Sequence, residues 1–160
     1  MLRKIMIPID GSDNARRALT MASTLAAKFD AELLVVHSLL RGHVPDHVRA
    51  LAKTPVPEQP SLSVGGAYVP PSLPHDTLEE IATALLEEAR QSAESAGVRT
   101  VRTSSRPEDA TRAILSEAER FDPDLIIMGS RGLGDLKGLL LGSVSQKVQP
   151  LFPGNVLLVK

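Results

Sequence analysis

The chain has no cysteine and no tryptophan, and it has only one tyrosine and three phenylalanines. Without cysteine there can be no disulfide, thiolate metal site or thiol chemistry. So few aromatic rings argue against a stacking platform for single-stranded nucleic acid. Charge of either sign is also scarce in excess: the formal net charge is −1, so no nucleic-acid or membrane surface is expected. No uninterrupted apolar stretch approaches the roughly 20 residues that a membrane span needs. The opening segment, Met1-Leu-Arg-Lys4, leads straight into a strand pattern with no signal-peptide character. Cytoplasmic is therefore the expected location. What remains is ordinary: 42% apolar and 23% charged residues suit a water-exposed globular fold. A length of 160 residues suits one domain, residues 1–160, with a sizeable core.

Two apolar runs, Ile5-Met-Ile-Pro-Ile9 and Glu32-Leu-Leu-Val-Val-His-Ser38, predict strands buried on both faces, as in a covered parallel sheet. Pro8 donates no ladder bond and belongs near a strand end. Between them Ala15, Ala18, Leu19, Ala22, Leu25, Ala26 and Phe29 recur at helical spacing, with Ser12 or Asp13 as cap. Seven of the twelve prolines fall between residues 39 and 76, beside Gly65-Gly66. That density predicts a long surface loop with little regular structure, except for a short helix near Asp46 to Lys53. Thr77-Leu-Glu-Glu80 fits a capping box opening a helix that ends at Gly97. Val98 to Thr103 alternates like an edge strand, and Pro107 fits the first turn of a third helix. Leu125-Ile-Ile-Met128 predicts a fourth strand. A helix from Ser143 should end by Gln149 because of Pro150, and Val156 to Val159 predicts a last strand. Strand–helix alternation of this kind predicts an α/β fold with a parallel sheet and helices on both faces.

Five of the eleven glycines lie between Gly129 and Gly142, after a buried strand and before a helix. Gly129, Gly132 and Gly142-Ser143 are separated by two and nine residues. Glycines there permit positive φ and close backbone approach, so that several N–H groups can converge on phosphate oxygens. Ser143, with Gln146 three residues on, sits where an N-cap would help the helix dipole hold an anion. Arg131 and Lys137 lie within the glycine loop, where either could reach such an anion or simply face solvent. A Walker loop is excluded, since no Gly-Lys-Ser or Gly-Lys-Thr occurs. A dinucleotide fingerprint is excluded too, because the first strand–helix turn reads Asp10-Gly-Ser-Asp13. His43 and His47 have a metal-ligand spacing but no third ligand nearby, so no metal site is expected there. His37 reads as a satisfied residue at the pocket edge.

The Gly129/Gly132/Gly142-Ser143 pattern resembles the nucleotide-binding motif of the universal stress protein family. Ile7-Pro-Ile-Asp-Gly-Ser12 resembles that family's opening strand and acidic turn, and Asp124 to Ser130 and Asn155 to Val159 its fourth and last strands. The chain departs from the family pattern at Ser105-Arg-Pro107, where Gly-x-Pro is usual, and at Asn155, where proline is usual. The resemblance implies an open, Rossmann-like five-stranded sheet of order 3-2-1-4-5 and the ATP-binding subclass. It implies that Asp10 bonds the ribose or base edge, with Val36 lining the adenine pocket. It implies that Gly129, Gly132, Gly142, Ser143 and Ser145 hold the phosphates. Pro8, Ile9, Met128, Arg131 and Val144 complete the implied nucleotide-binding set. The implied cofactor is ATP with Mg2+ or Mn2+, and the implied partner is a second copy paired through Val156, Leu157, Leu158 and Val159. No catalytic constellation stands out, so a stress-response or regulatory nucleotide-binding dimer with at most slow hydrolysis is expected. The alternatives are a nucleotide-hydrolysing or nucleotidyl-transferring enzyme on the same scaffold, or an interaction module with a vestigial pocket.

Overall fold

The computed structural model describes residues 1–39, 44, 46–53, 62–64, 67–69, 73–133 and 141–160. Along the chain the elements are β1 (Lys4–Pro8), α1 (Asp13–Phe29), β2 (Glu32–Ser38), α2 (Asp46–Arg49), β3 (Leu62–Val64) and β4 (Ala67–Val69). They continue as α3 (His75–Ser95), β5 (Val101–Arg106), α4 (Ala110–Phe121), β6 (Leu125–Gly129), α5 (Ser143–Leu151) and β7 (Asn155–Val159). Five strands form one parallel sheet in the order β5-β2-β1-β6-β7. Counted among themselves these strands run 3-2-1-4-5, as the resemblance implies. The winding reverses between β1 and β6, which opens a crevice at their carboxyl ends.

The apolar runs become strands because both faces of the sheet are covered. Along each strand alternate side chains serve opposite layers. Ile5, Ile7, Leu33, Val35 and Ile127 pack under α1 and α3. Met6, Leu34, Val36, Ile126 and Met128 pack under α4 and α5. Pro8 ends β1, where its missing N–H costs no ladder bond. Ser12 caps α1 by accepting from the Ala15 N–H.

Several expectations need correction. The stretch 39–76 carries more order than its prolines suggest: β3 and β4 pair antiparallel, with Leu62 opposite Val69. Val44 and Val48 are buried in the first core layer. Helix α3 begins at His75 rather than at a Thr77 capping box. Glu80, the supposed return partner, accepts instead from the Lys53 N–H. Phe29 is half exposed rather than part of the inner face of α1. At Gly97 (φ +93°) the chain turns back, and the Val98 N–H donates to Ala93 O. Val98 is thereby buried in the helix end, and the edge strand starts three residues later than expected. Pro107 lies outside α4, because Asp109 is the better cap and accepts from the Arg112 N–H. Pro150 lies inside α5. The carbonyl it leaves without a helical donor belongs to the exposed Gln146, within reach of solvent.

Candidate functional site

A cleft of about 600 Å³ opens beyond the carboxyl ends of β1, β2 and β6. That size lies within the usual range for small-molecule sites. All twelve residues singled out above line it: Pro8, Ile9, Asp10, Val36, Met128, Gly129, Arg131, Gly132, Gly142, Ser143, Val144 and Ser145. Sequence reasoning missed the opposite wall, formed by Ser38 and Leu39 after β2 and by Asp109, Ala110 and Ile114 at the start of α4. Only the three-dimensional crossover from β5 to β6 brings that helix end to the crevice. Its one legible signal was Asp109 as a cap.

At one end of the cleft lies the N-terminus of α5. Gly142 is its cap residue, and Ser143 is the first helical residue, one place later than the cap position expected of it. The Gly142 N–H already donates to Ser130 O at 2.7 Å. Among the described residues, the helix donors left without a partner are therefore the N–H groups of Ser143, Val144 and Ser145, at the positive end of the helix dipole. The Ser145 side chain is buried, and its hydroxyl sits 2.9 Å from both Ser130 O and Gly142 O. It fastens the helix start to the strand end. The Ser143 side chain is exposed.

The glycines of the motif act by close approach, not by unusual backbone angles. Among the described residues only Gly11 and Gly97 are glycines with positive φ. A Cβ at Gly129 would lie 3.0 Å from the Asn14 backbone, and one at Gly142 would lie 3.2 Å from Arg131 Cα. A Cβ at Gly132 would overlap Asp10 Oδ2. Asp10 lines the cleft beside these glycines. Its Oδ1 accepts from the Ser12 N–H at 3.0 Å and its Oδ2 from the Leu133 N–H at 2.9 Å.

His37 is not at the cleft edge but buried in β2, with Nδ1 2.8 Å from Ile9 O. Burial is the largest influence and holds its pKa below the ordinary value. The Ile9 carbonyl and the Asp10 carboxylate push the other way. His47 Nε2 lies 3.3 Å from Gly11 O. His43 and Lys137 fall outside the described residues.

Residues 1–160 match the universal stress protein family along their full length. The chain belongs to the universal stress protein family. Among curated universal stress proteins, YxiE of Bacillus subtilis is 33% identical over 163 residues, covering all of both chains. A Thermus aquaticus universal stress protein is 35% identical over 168 residues, again covering both chains in full. The solved UspA of Lactobacillus plantarum aligns with a TM-score of 0.72 at 20% identity, over 99% of this chain and 98% of its own. A universal stress protein solved in complex with cAMP aligns at 0.64 and 23% identity, over 99% and 96% of the two chains. One from Archaeoglobus fulgidus in complex with dAMP aligns at 0.65 and 20% identity, over the whole of both. These structural likenesses bear on the universal stress protein fold.

Proposed function

We propose that this universal stress protein binds ATP with a divalent cation in the cleft and acts as a regulatory homodimer. The observation that carries the reading is the juxtaposition at one cleft of three N–H groups at the α5 start, without partners among the described residues, with an apolar floor. Val36, Met128 and Ile114 supply that floor, suited to a purine face. The N–H groups of Ser143, Val144 and Ser145 suit phosphate oxygens. The complexes of two neighbours with cAMP and dAMP support an adenine nucleotide as the ligand class. Asp10 retains lone pairs for a ribose or base-edge donor beside the two N–H groups it already accepts.

Among the described residues no group of three or more His, Asp or Glu side chains gathers to hold a metal ion. Phosphate oxygens and water would therefore supply most ligands of Mg2+ or Mn2+. Hydrolysis would be slow at most. The acidic groups on the wall, Asp10 and Asp109, already accept backbone N–H bonds, and His37 is buried in the sheet. The dimer would form through β7, which among the described residues pairs only with β6 and carries Leu157 37% exposed. Pairing with a second copy would cover that edge.

Calorimetric titration of the purified protein with ATP and magnesium tests the reading. At one hundred times Kd, binding should add about 2.7 kcal/mol of stability. Absence of both heat and a melting shift at millimolar nucleotide would overturn it.

A further inference from the structure

We propose that Asp10 is a positioning residue whose carboxylate ties the turn after β1 to the start of the glycine-rich loop, and that Gly132 lacks a side chain so that this tie can form. The two oxygens of Asp10 work on different segments. Oδ1 holds the Ser12 N–H two residues along its own turn, and Oδ2 holds the Leu133 N–H, 123 positions away in sequence. The Leu133 side chain packs against the first core layer, so the loop is held at this residue by both backbone and side chain. Both bonds have an ionised acceptor, the stronger class of hydrogen bond.

Gly132 is the second glycine of the phosphate motif, and its usual explanation would be room for a phosphate. The geometry gives a different reason. Its φ does not lie in the left-handed region, so alanine carries no backbone strain there. Among the described residues and apart from its chain neighbours, the only atoms within 4 Å of a Cβ built on Gly132 are Asp10 Oδ2 and Cγ. A methyl at 132 would therefore displace the Asp10 carboxylate, the one group among the described non-neighbouring residues that it meets. Gly129 and Gly142 differ, since their added Cβ atoms would meet backbone. The three glycines thus serve three separate approaches, and the middle one serves an acid from the other end of the chain.

The consequence for ligand affinity rests on the proposed nucleotide site, whereas the tie itself does not. The test is a double-mutant cycle of Asp10→Ala and Gly132→Ala, with Asp10→Asn as a milder variant that keeps one acceptor oxygen. Amide exchange is read in the nucleotide-free protein, and Kd for ATP with magnesium is read by calorimetry. Exchange at Leu133 should accelerate about ten- to hundredfold in each single variant, the factor carried by a hydrogen bond to a charged group. Gly132→Ala should weaken ATP binding about tenfold or more on the natural background, and less than about twofold once Asp10 is alanine. Unchanged Leu133 exchange in both Asp10 variants would overturn the proposal. So would an equal cost of Gly132→Ala on both backgrounds. If the natural protein takes no ATP, the nucleotide reading falls, and the exchange rates still decide the tie.

Discussion

Ser143 and Ser145 are two residues apart at the start of one helix, yet their hydroxyls face opposite demands. The Ser145 side chain is 2% exposed and bridges Ser130 O and Gly142 O at 2.9 Å. Its single proton is shared between two acceptors, so Ser145→Ala removes about one hydrogen bond's worth of stability. Neither acceptor is orphaned, because Ser130 O keeps the Gly142 N–H at 2.7 Å and Gly142 O keeps the Gln146 N–H at 3.0 Å. The cost should sit near the middle of the usual range, about 1 kcal/mol, with no added penalty for a buried unpaired group. For a chain of this size that lowers the melting temperature by about 2–4 °C. Ser143 is exposed and makes no side-chain hydrogen bond among the described residues. Ser143→Ala should leave stability within about 0.5 kcal/mol. It should weaken ATP binding by a factor of about ten, if its hydroxyl meets phosphate. Calorimetric melting without nucleotide, followed by titration, separates the two effects. Equal melting shifts for the two variants, or none for Ser145→Ala, would refute the assignment of one serine to the scaffold and the other to the ligand.

Three other outcomes follow from the structure. Burial lowers the His37 pKa in the fold, so the unfolded chain takes up its proton first as pH drops below about 6.5. Stability should therefore be level above that pH and fall beneath it, and His37→Gln should flatten the decline in melting curves taken from pH 7.5 to about 5.5. Arg106 donates from Nε and Nη2 to the buried Glu117. Arg106→Ala should cost about 3 kcal/mol in urea unfolding, while the Arg106→Leu/Glu117→Leu pair should recover most of it. Leu157→Lys on β7 should convert the proposed dimer to a monomer by light scattering while leaving ATP affinity within about threefold, since Leu157 is not part of the cleft lining.

The sheet was legible because its information is local. Apolar runs such as Leu33 to Val36 are long enough to mark a doubly covered strand, and Ala18, Ala22 and Ala26 repeat at helical spacing. The cleft residues were legible where a motif gathers them, around Gly129 and Gly142. Positions fixed by competition between neighbours were not. Asp109 displaced Pro107 from the helix start by being a better hydrogen-bond acceptor, and Lys53 drew Glu80 away from Thr77. The α4 wall of the cleft was hidden for another reason: Ala110 and Ile114 face the ligand space only because β5 and β6 lie on opposite sides of the sheet centre. The bond from the Leu133 N–H to Asp10 spans nearly the whole chain, and no local pattern encodes it.

The placement of Val48 has a practical consequence for anyone shortening this protein. Val44 and Val48 belong to the proline-rich stretch, yet they are 2% and 1% exposed, and Val48 Cγ2 would lie 2.9 Å from a Cβ on Gly11. Gly11 has φ +85° and sits directly after Asp10. A trimmed variant that loses Val44 and Val48 would open a hole beneath the acidic turn and let water reach the first core layer. A cut placed between residues 54 and 61 would spare them. Leu73, further along the same excursion, is buried in that same core layer, so a shortened chain has to keep Val44, Val48 and Leu73 alike.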